Sequence, residues 1–329
     1  MSVYNSTKPF TEKILKIIQK TWPKNGPFRI ERVKNQVIIR KNPKNWKDYL
    51  EVDKTDGIGT KGSLHWKMKT FSFAAQDAFA MNANDLIRIG AEPYRLQNHI
   101  MLQEENEKAI LSIIKSLAKL CKKYKVAITG GETAILNTVN GMEIGITMIG
   151  LVKKSEIIRP NVKAGDKLIG LASSGIHSNG LTFARKILHD SEELTKPTEI
   201  YLEGIKDILK NHRKDICGMV HVTGGAFTKL KDISNKKVDI KIVRNHKLNP
   251  QSVFFSLKEK GKLSDGQMYK TFNNGIGFII AVNKNAAENV LNIIKRHHKS
   301  DIIGYAEKGN GKIKIESQFS NKTVFFKTI

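Results

Sequence analysis

The chain has 329 residues and a mass of 37.0 kDa, too long for one minimal core and suited to two domains of ordinary size. Lys plus Arg number 56 against 31 Asp plus Glu, a net charge of +25, which admits phosphate-bearing ligands, nucleic acid or an acidic membrane surface and selects none of them. The lysines are scattered through every segment and aromatics are only 7% of the chain, which argues against nucleic acid as the partner. Two cysteines, Cys121 and Cys217, exclude a disulfide framework and a Cys-rich zinc site and fit a reducing compartment. No apolar run approaches the ~20 residues needed to cross a bilayer. The polar Met1–Phe10 segment lacks the apolar block of a signal peptide, so the expectation is a cytoplasmic protein with no membrane partner.

In chain order, Glu12–Trp22 has helical spacing at Ile14, Leu15, Ile17 and Ile18, and Pro23, Gly26 and Pro27 end it. Phe28–Val33 and Val37–Arg40 alternate as two short strands around Asn35. Tyr49–Val52 leads as a strand into the Asp56–Lys61 turn (DGIGTK). Phe71–Ile89 predicts a helix stopped by Gly90 and Pro93. Glu104–Tyr124 predicts another, with Lys122 and Lys123 suited to the negative end of its dipole. Val126–Thr129 reads as a buried strand entering Gly130-Gly131-Glu132-Thr133, and Met142–Val152 alternates as a strand. A boundary falls within 154–165, giving expected domains 1–158 and 159–329. The second half predicts the strand Lys167–Ala172, the turn Ser173–Gly180 and the helix Leu181–Leu188. Further helices are expected at Ile200–Asn211, Gln251–Lys260 and Ala286–His297. Further strands are expected at Val238–Val243, Gly275–Val282, Asp301–Tyr305, Lys312–Glu316 and Thr323–Phe326. The interleaving implies an α/β (α+β) chain with helices packed on mixed sheets.

Several polar clusters sit at the ends of these elements. Asp56 enters a glycine-bearing turn, where Asp-Gly is also a routine turn pair. Asp77 and Asn84 are seven residues apart, nearly two helical turns, so they share a face, with Asp85 one step round. Phe73, Ala74, Ala78, Phe79 and Met81 make most of that helix apolar, so a carboxylate at Asp77 calls for a partner. Carboxylates beside Gly-rich turns suit a magnesium–nucleotide site, because magnesium takes hard oxygens and a triphosphate takes backbone N–H groups and a lysine. Neither GxxxxGK[ST] nor GxGxxG occurs. Ser173–Gly180 joins a strand to a helix and reads as a phosphate cradle or as a Ser/Asn helix cap. His221–Gly225 is a second such turn. Lone histidines are more often structural than catalytic, so His177 and His221 read as hydrogen-bond donors, not bases. Asn273–Gly277 is a turn into a buried strand, explained at least as well by turn chemistry as by ligand contact.

Taken together and in this order, Thr55–Lys61 (TDGIGTK), Ala80–Pro93 (AMNANDLIRIGAEP), Gly130–Ala134 (GGETA), Lys154–Ile158 (KSEII), Ser173–Gly180 (SSGIHSNG) with Arg185–Leu188, His221–Phe227 (HVTGGAF) and Met268–Phe278 (MYKTFNNGIGF) resemble the phosphoribosylformylglycinamidine cyclo-ligase family, the aminoimidazole ribonucleotide synthetases. The resemblance runs from about Val52 to about Ala281. It implies an N-terminal mixed-sheet domain that binds ATP and forms a barrel across a homodimer, and a C-terminal domain with helices on a mixed sheet that binds substrate. Mg²⁺–ATP would be held by Asp56, Gly57, Lys61, Asp77, Asn84, Asp85, Gly131, Glu132 and Thr133, with Asp56, Asp77, Asp85 and Glu132 as metal ligands. Substrate would lie against Ser173, Ser174, His177, Ser178, Asn179, Gly180, His221, Thr223, Gly224, Gly225 and Asn273. Lys61, Asp85 and His177 are the implied catalytic residues. The implied reaction is ATP-dependent ring closure in purine biosynthesis, which needs charge neutralisation and alignment and no protein nucleophile. Asn98 stands where the family usually has aspartate, and the family's glycine-rich N-terminal segment is reduced to residues 24–28. A thiamine-phosphate kinase-like relative and a non-catalytic nucleotide-binding paralogue are the alternatives. A selenophosphate synthetase would need a reactive cysteine before Cys121, and a hydrogenase-maturation relative one at the C-terminus.

Overall fold

A computed structural model describes residues 9–24, 28–33, 36–41 and 46–327. The centre of the shortened 24–28 segment lies outside them. The chain divides into two compact units, Met1–Leu86 with Ala91–Ile157, and Ile87–Gly90 with Ile158–Ile329.

The first unit opens with α1 (Pro9–Gln19) and the hairpin β1 (Phe28–Val33) and β2 (Gln36–Lys41). β3 (Tyr49–Gly57), α2 (Lys61–Met68), α3 (Phe71–Ile87), β4 (Glu92–Leu102), α4 (Glu107–Tyr124), β5 (Ala127–Ile135) and β6 (Met142–Lys153) follow. The four longer strands form one sheet in the order β3-β6-β4-β5. β4 and β5 are parallel, and α4 is the crossover such a pair needs; β6 runs antiparallel to both β3 and β4. Side chains alternate between the faces. Met142, Ile144, Ile146 and Met148 of β6 are buried on one face, while Glu143, Gly145 and Thr147 are half-buried on the other. On that second face Gln97, His99 and Glu132 are exposed. Helix α4 buries Ala109, Ile110, Ile113, Ile114, Leu117, Ala118 and Cys121 along one stripe, and the Asn106 side chain caps it by accepting from Ala109 N–H.

Two elements here were not expected from the sequence. α2 has no apolar period to read, because Lys61 and His65 are among its buried residues. β4 carries Arg95, Gln97 and His99 toward the open face, and its Pro93 reads locally as a helix stop.

The second unit holds a seven-stranded sheet. Its strands are β7 (Lys167–Ala172), β8 (Ile216–His221), β9 (Val238–Ile242), β10 (Ile276–Val282), β11 (Ser300–Lys308), β12 (Lys312–Glu316) and β13 (Thr323–Lys327), in the spatial order β13-β12-β9-β11-β7-β10-β8. Every pairing is antiparallel except β12 with β9. All seven residues of β10 are buried, as its apolar run, interrupted only by Gly277, implies. The helices are α5 (Leu181–Leu188), α6 (Leu202–His212), α7 (Ser252–Lys260), α8 (Asp265–Thr271) and α9 (Ala287–Ile294). α8 begins with a capping box between Ser264 and Gln267. Ala226–Asp232 is a 3₁₀ segment where an ordinary helix was expected.

β10 threads antiparallel between β7 and β8, with Ile276 opposite Ala172 and Phe278 opposite His221. The start of β10 therefore lies beside the ends of both neighbours. This collects three loops, 173–180, 222–226 and 273–275, at one end of the sheet. Gly277 lets them pack: a Cβ there would stand 2.1 Å from the Tyr201 hydroxyl and 2.6 Å from the His177 ring. Gly277→Ala should cost about 1–3 kcal/mol by overpacking, read in urea melts as a lower midpoint; an unchanged midpoint would show that the rings do not hold this position.

Candidate functional site

The most deeply buried charges of the first unit join α2 to α3. Lys61 Nζ lies 2.8 Å from Asp77 Oδ2 and donates to Oδ1 at 3.0 Å, with both side chains wholly inaccessible. His65 Nε2 is 2.8 Å from Asp77 Oδ2, and its Nδ1 is 2.7 Å from Thr70 Oγ1. A carboxylate only accepts, so Nε2 carries the proton and donates. Burial draws the His65 imidazole below its ordinary value, and the neutral ring accepts from the Thr70 hydroxyl at Nδ1. Burial alone would raise the Asp77 carboxyl; the Lys61 ammonium and the His65 N–H outweigh it and hold it at about 2. Asn84, two turns along α3, is buried as well, so the shared face expected from the spacing is the inward one.

This arrangement gives two of the expected site residues partners inside the protein. Asp77 turns its oxygens to Lys61 and His65. Lys61 is sealed against Asp77 and does not present its ammonium to a phosphoryl group.

Asp56 and Asp85 behave differently. Asp56 ends β3, with Oδ1 accepting from Gly57 N–H at 2.9 Å. The Lys54 ammonium stands 2.8 Å from Asp85 Oδ2 and 3.6 Å from Asp56 Oδ2, so the two carboxylates converge on one cation. Their side chains are 14% and 36% exposed, within reach of a ligand. Asn82 of α3 steadies this end of β3 by donating Nδ2–H to the Asp56 carbonyl at 3.2 Å. The Gly57–Thr60 turn is no open phosphate nest: Gly59 N–H donates to Glu143 Oε1 at 3.0 Å and Ile58 N–H to Ile144 O at 3.2 Å. Burial raises the Glu143 carboxyl above its usual range.

Glu132 does not join them. The register aligns Asp56 with Ile146, Asn98 and Gly131, and Gly57 with Gly145, His99 and Glu132. Adjacent positions face opposite ways, so Glu132 leaves the sheet on the open face and Asp56 on the helix-covered one. Glu132 Oε1 accepts from Thr133 N–H at 2.9 Å, and the Thr133 side chain is turned inward. Gly131 is glycine for packing: a Cβ would come within 2.7 Å of the Asn98 carbonyl. Among the described residues no three His, Cys, Asp or Glu side chains are grouped to hold a metal ion.

In the second unit the three collected loops hold one another. Asn273 saturates its amide within the protein. Its Oδ1 accepts from Ser173 Oγ–H at 2.9 Å and Gly275 N–H at 3.0 Å, and its Nδ2 donates to the carbonyls of Gly175 and Ile176 at 2.9 and 3.0 Å. It builds the loops and has no capacity left for substrate. Gln251 Nε2 donates to Ser173 O at 2.6 Å, and Ser174 Oγ–H donates to Pro197 O at 2.5 Å. His177, at φ 60°, is buried, and its Nε2 accepts from Ser174 N–H at 3.2 Å and Glu199 N–H at 3.4 Å. It is therefore an acceptor at Nε2 that shapes its own turn, where a donor was expected. His221 is buried with its ring 6.2 Å from Phe278.

Other members of the set are better placed to meet a ligand. Asn179 Nδ2 donates to Val222 O at 2.7 Å, tying the first loop to the second, while Asn179 Oδ1, Ser178 Oγ, Asn274 Oδ1 and Gln251 Oε1 are buried with no hydrogen-bond partner. Unpaired buried polar atoms cost free energy, so water or a ligand that pairs them stabilises the loops. Gly224 and Gly225 are exposed, Gly225 at φ 85°, and Lys229 Nζ donates to Thr223 Oγ1 beside them. Gly180, at φ 63°, precedes the first turn of α5. Sequence reasoning missed Lys54, His65, Asn82, Glu143 and Gln251. Each sits on an element whose local pattern explains it without a ligand, so only the pairing reveals it.

Comparison with known proteins adds the family. Residues 45–152 match the N-terminal domain of AIR synthase related proteins, and residues 163–316 match the C-terminal domain. The phosphoribosylformylglycinamidine cyclo-ligase of Methanococcus vannielii is 38% identical over 296 residues, covering 84% of this chain and 82% of that protein. Among solved structures, HypE of E. coli superposes with a TM-score of 0.70 at 17% identity, over 97% of each chain. A crystal structure of the hydrogenase maturation protein HypE in complex with ATP gives 0.64 at 15% identity, over 99% of this chain and 96% of that one. These two show the fold alone.

The ion pair is open to a direct test. Asp77→Asn leaves the Lys61 ammonium buried without a counter-charge and should lower stability by about 3–5 kcal/mol. The Asp77 carboxyl is depressed in the fold, so its stabilisation is complete above its unfolded value of about 4 and is lost as pH falls through about 2. Denaturant melts of both proteins should show a constant gap near neutrality that closes in that acid window; a gap absent at neutral pH would refute the pairing.

Proposed function

This chain belongs to the phosphoribosylformylglycinamidine cyclo-ligase family, and from that premise we propose that it closes the imidazole ring of aminoimidazole ribonucleotide in purine biosynthesis, with formylglycinamidine ribonucleotide and ATP as substrates. The observation that carries the reading is the meeting of loops 173–180, 222–226 and 273–275 at one end of the second sheet, with buried Ser178, Asn179 and Asn274 atoms left to be paired. A ribose phosphate offers acceptors to the Gly224–Gly225 amides and to Ser178, and hydroxyl donors to the Asn179 and Asn274 carbonyl oxygens. Asn273, Gln251 and His177 hold the loops in that form. In the reaction, the γ-phosphoryl group of ATP passes to the amide oxygen of the substrate and ADP leaves. The amidine nitrogen then attacks the activated carbon, inorganic phosphate departs with the oxygen, and a proton is lost. What the protein supplies is alignment of the two ends of one substrate and neutralisation of developing charge.

The residues present fit a divalent cation at one place. Asp56 and Asp85 are hard oxygen donors already converging on a positive charge, and they would hold Mg²⁺; the buried Asp77 and the opposed Glu132 would not. A bound Mg²⁺ would screen the triphosphate so that its γ-phosphorus accepts a nucleophile. Asn82 and Glu143 keep the Asp56–Thr60 turn in place for it. ATP use agrees with the HypE–ATP complex on the same fold. The homodimer belongs to the same proposal: the open face bearing Gln97, His99 and Glu132 is the surface that a second copy's sheet would cover to close a barrel.

Purified protein given ATP, Mg²⁺ and formylglycinamidine ribonucleotide should release ADP and aminoimidazole ribonucleotide in equal amounts. Asp85→Asn should lower that turnover by about 100-fold or more. ADP release that occurs with thiamine phosphate and not with formylglycinamidine ribonucleotide would overturn the assignment.

A further inference from the structure

The Asp56/Asp85 pair already contains a cation that belongs to the chain. Lys54 lies two residues before Asp56 on β3, so both side chains leave the same face of the strand. That face also receives Asp85 from α3. The ammonium sits between the two carboxylates, 2.8 Å from one and 3.6 Å from the other. Two carboxylates that can both reach one ammonium can both reach one metal ion, and they cannot hold both cations without setting like charges side by side. The Lys54 side chain is 32% exposed on a flexible four-carbon stem, so it can leave without disturbing the strand.

We propose that Lys54 is an internal counter-ion that occupies the divalent-cation position of the Asp56/Asp85 pair and must be displaced before a metal ion binds there. This rests on the reading that Asp56 and Asp85 hold the metal. In the metal-free protein the ammonium cancels the repulsion between the carboxylates. A bare divalent cation meets a tethered competitor already at the site, and its apparent affinity is reduced in proportion to the fraction of molecules in which Lys54 is displaced. A metal–nucleotide complex escapes that cost, because its phosphates give the displaced ammonium a new anionic partner. The consequence is an order of binding: the cation enters with the triphosphate and not ahead of it, and Lys54 couples the two.

The test is a titration of the nucleotide-free protein with Mn²⁺, free metal being read by its electron paramagnetic resonance signal. Lys54→Gln should bind Mn²⁺ about tenfold more tightly than the wild type, Lys54→Arg should stay close to the wild type, and the Lys54→Gln/Asp85→Asn double variant should lose the gain. Thermal melts give a second readout that also verifies folding: 5′-nucleotide-free Lys54→Gln should be stabilised by Mn²⁺ more than the wild type is. Equal Mn²⁺ affinity in wild type and Lys54→Gln, with Asp85→Asn still weakening both, would overturn the role of Lys54 and leave the metal site standing. Affinity indifferent to Asp85→Asn would overturn the metal site and Lys54 with it.

Discussion

The buried Lys61–Asp77 ion pair is the constraint on which the first unit depends. Two opposite charges with no access to water can persist only if each answers the other, and His65, itself held by Thr70, adds a further donor to Asp77. The pair fastens the start of α2 to the middle of α3. The end of β3, just before α2, carries Asp56, and the far end of α3 carries Asp85, so the same bond that hides one carboxylate sets the spacing of the two that remain accessible. Of the four carboxylates that the resemblance assigns to a metal, one is an internal brace, another leaves the opposite sheet face, and a pair remains.

A similar division runs through the second unit. The antiparallel insertion of β10 brings three loops together, and the residues in those loops then separate by task. Asn273 uses all of its hydrogen-bonding capacity to knit them, and His177 accepts two backbone N–H groups to hold its own turn. Ser178, Asn179 and Asn274 keep buried polar atoms unspent. Residues within one short motif therefore do opposite things: some complete the protein, and others leave it to be completed.

How much of this is legible without coordinates follows from what periodicity can encode. The helix at Leu181–Leu188 and the strands around Val238, Ile276 and Lys312 are read directly, because burial and apolar character coincide there. The seven-residue spacing correctly places Asp77 and Asn84 on one face, since helical geometry is local. α2 is invisible because its inward residues are a lysine and a histidine. The opposition of Asp56 and Glu132 needs the register of three strand pairs, and a shift of one residue would reverse it. The acceptor role of His177 is set by the backbone N–H groups of Ser174 and Glu199, which residue type alone does not encode, and Lys54 reads as one more surface lysine until Asp85 is beside it. Motif resemblance names the neighbourhood of each residue; only packing decides whether the residue braces the site or serves it.

The separation of the carboxylates is the central claim, and one map tests it. Crystals grown with Mn²⁺ and a non-hydrolysable ATP analogue should give an anomalous peak between Asp56 and Asp85, with their oxygens about 2 Å from the ion, while Lys61 and Asp77 stay paired. A peak on the face of Glu132, or one ligated by an Asp77 that has released Lys61, would contradict it.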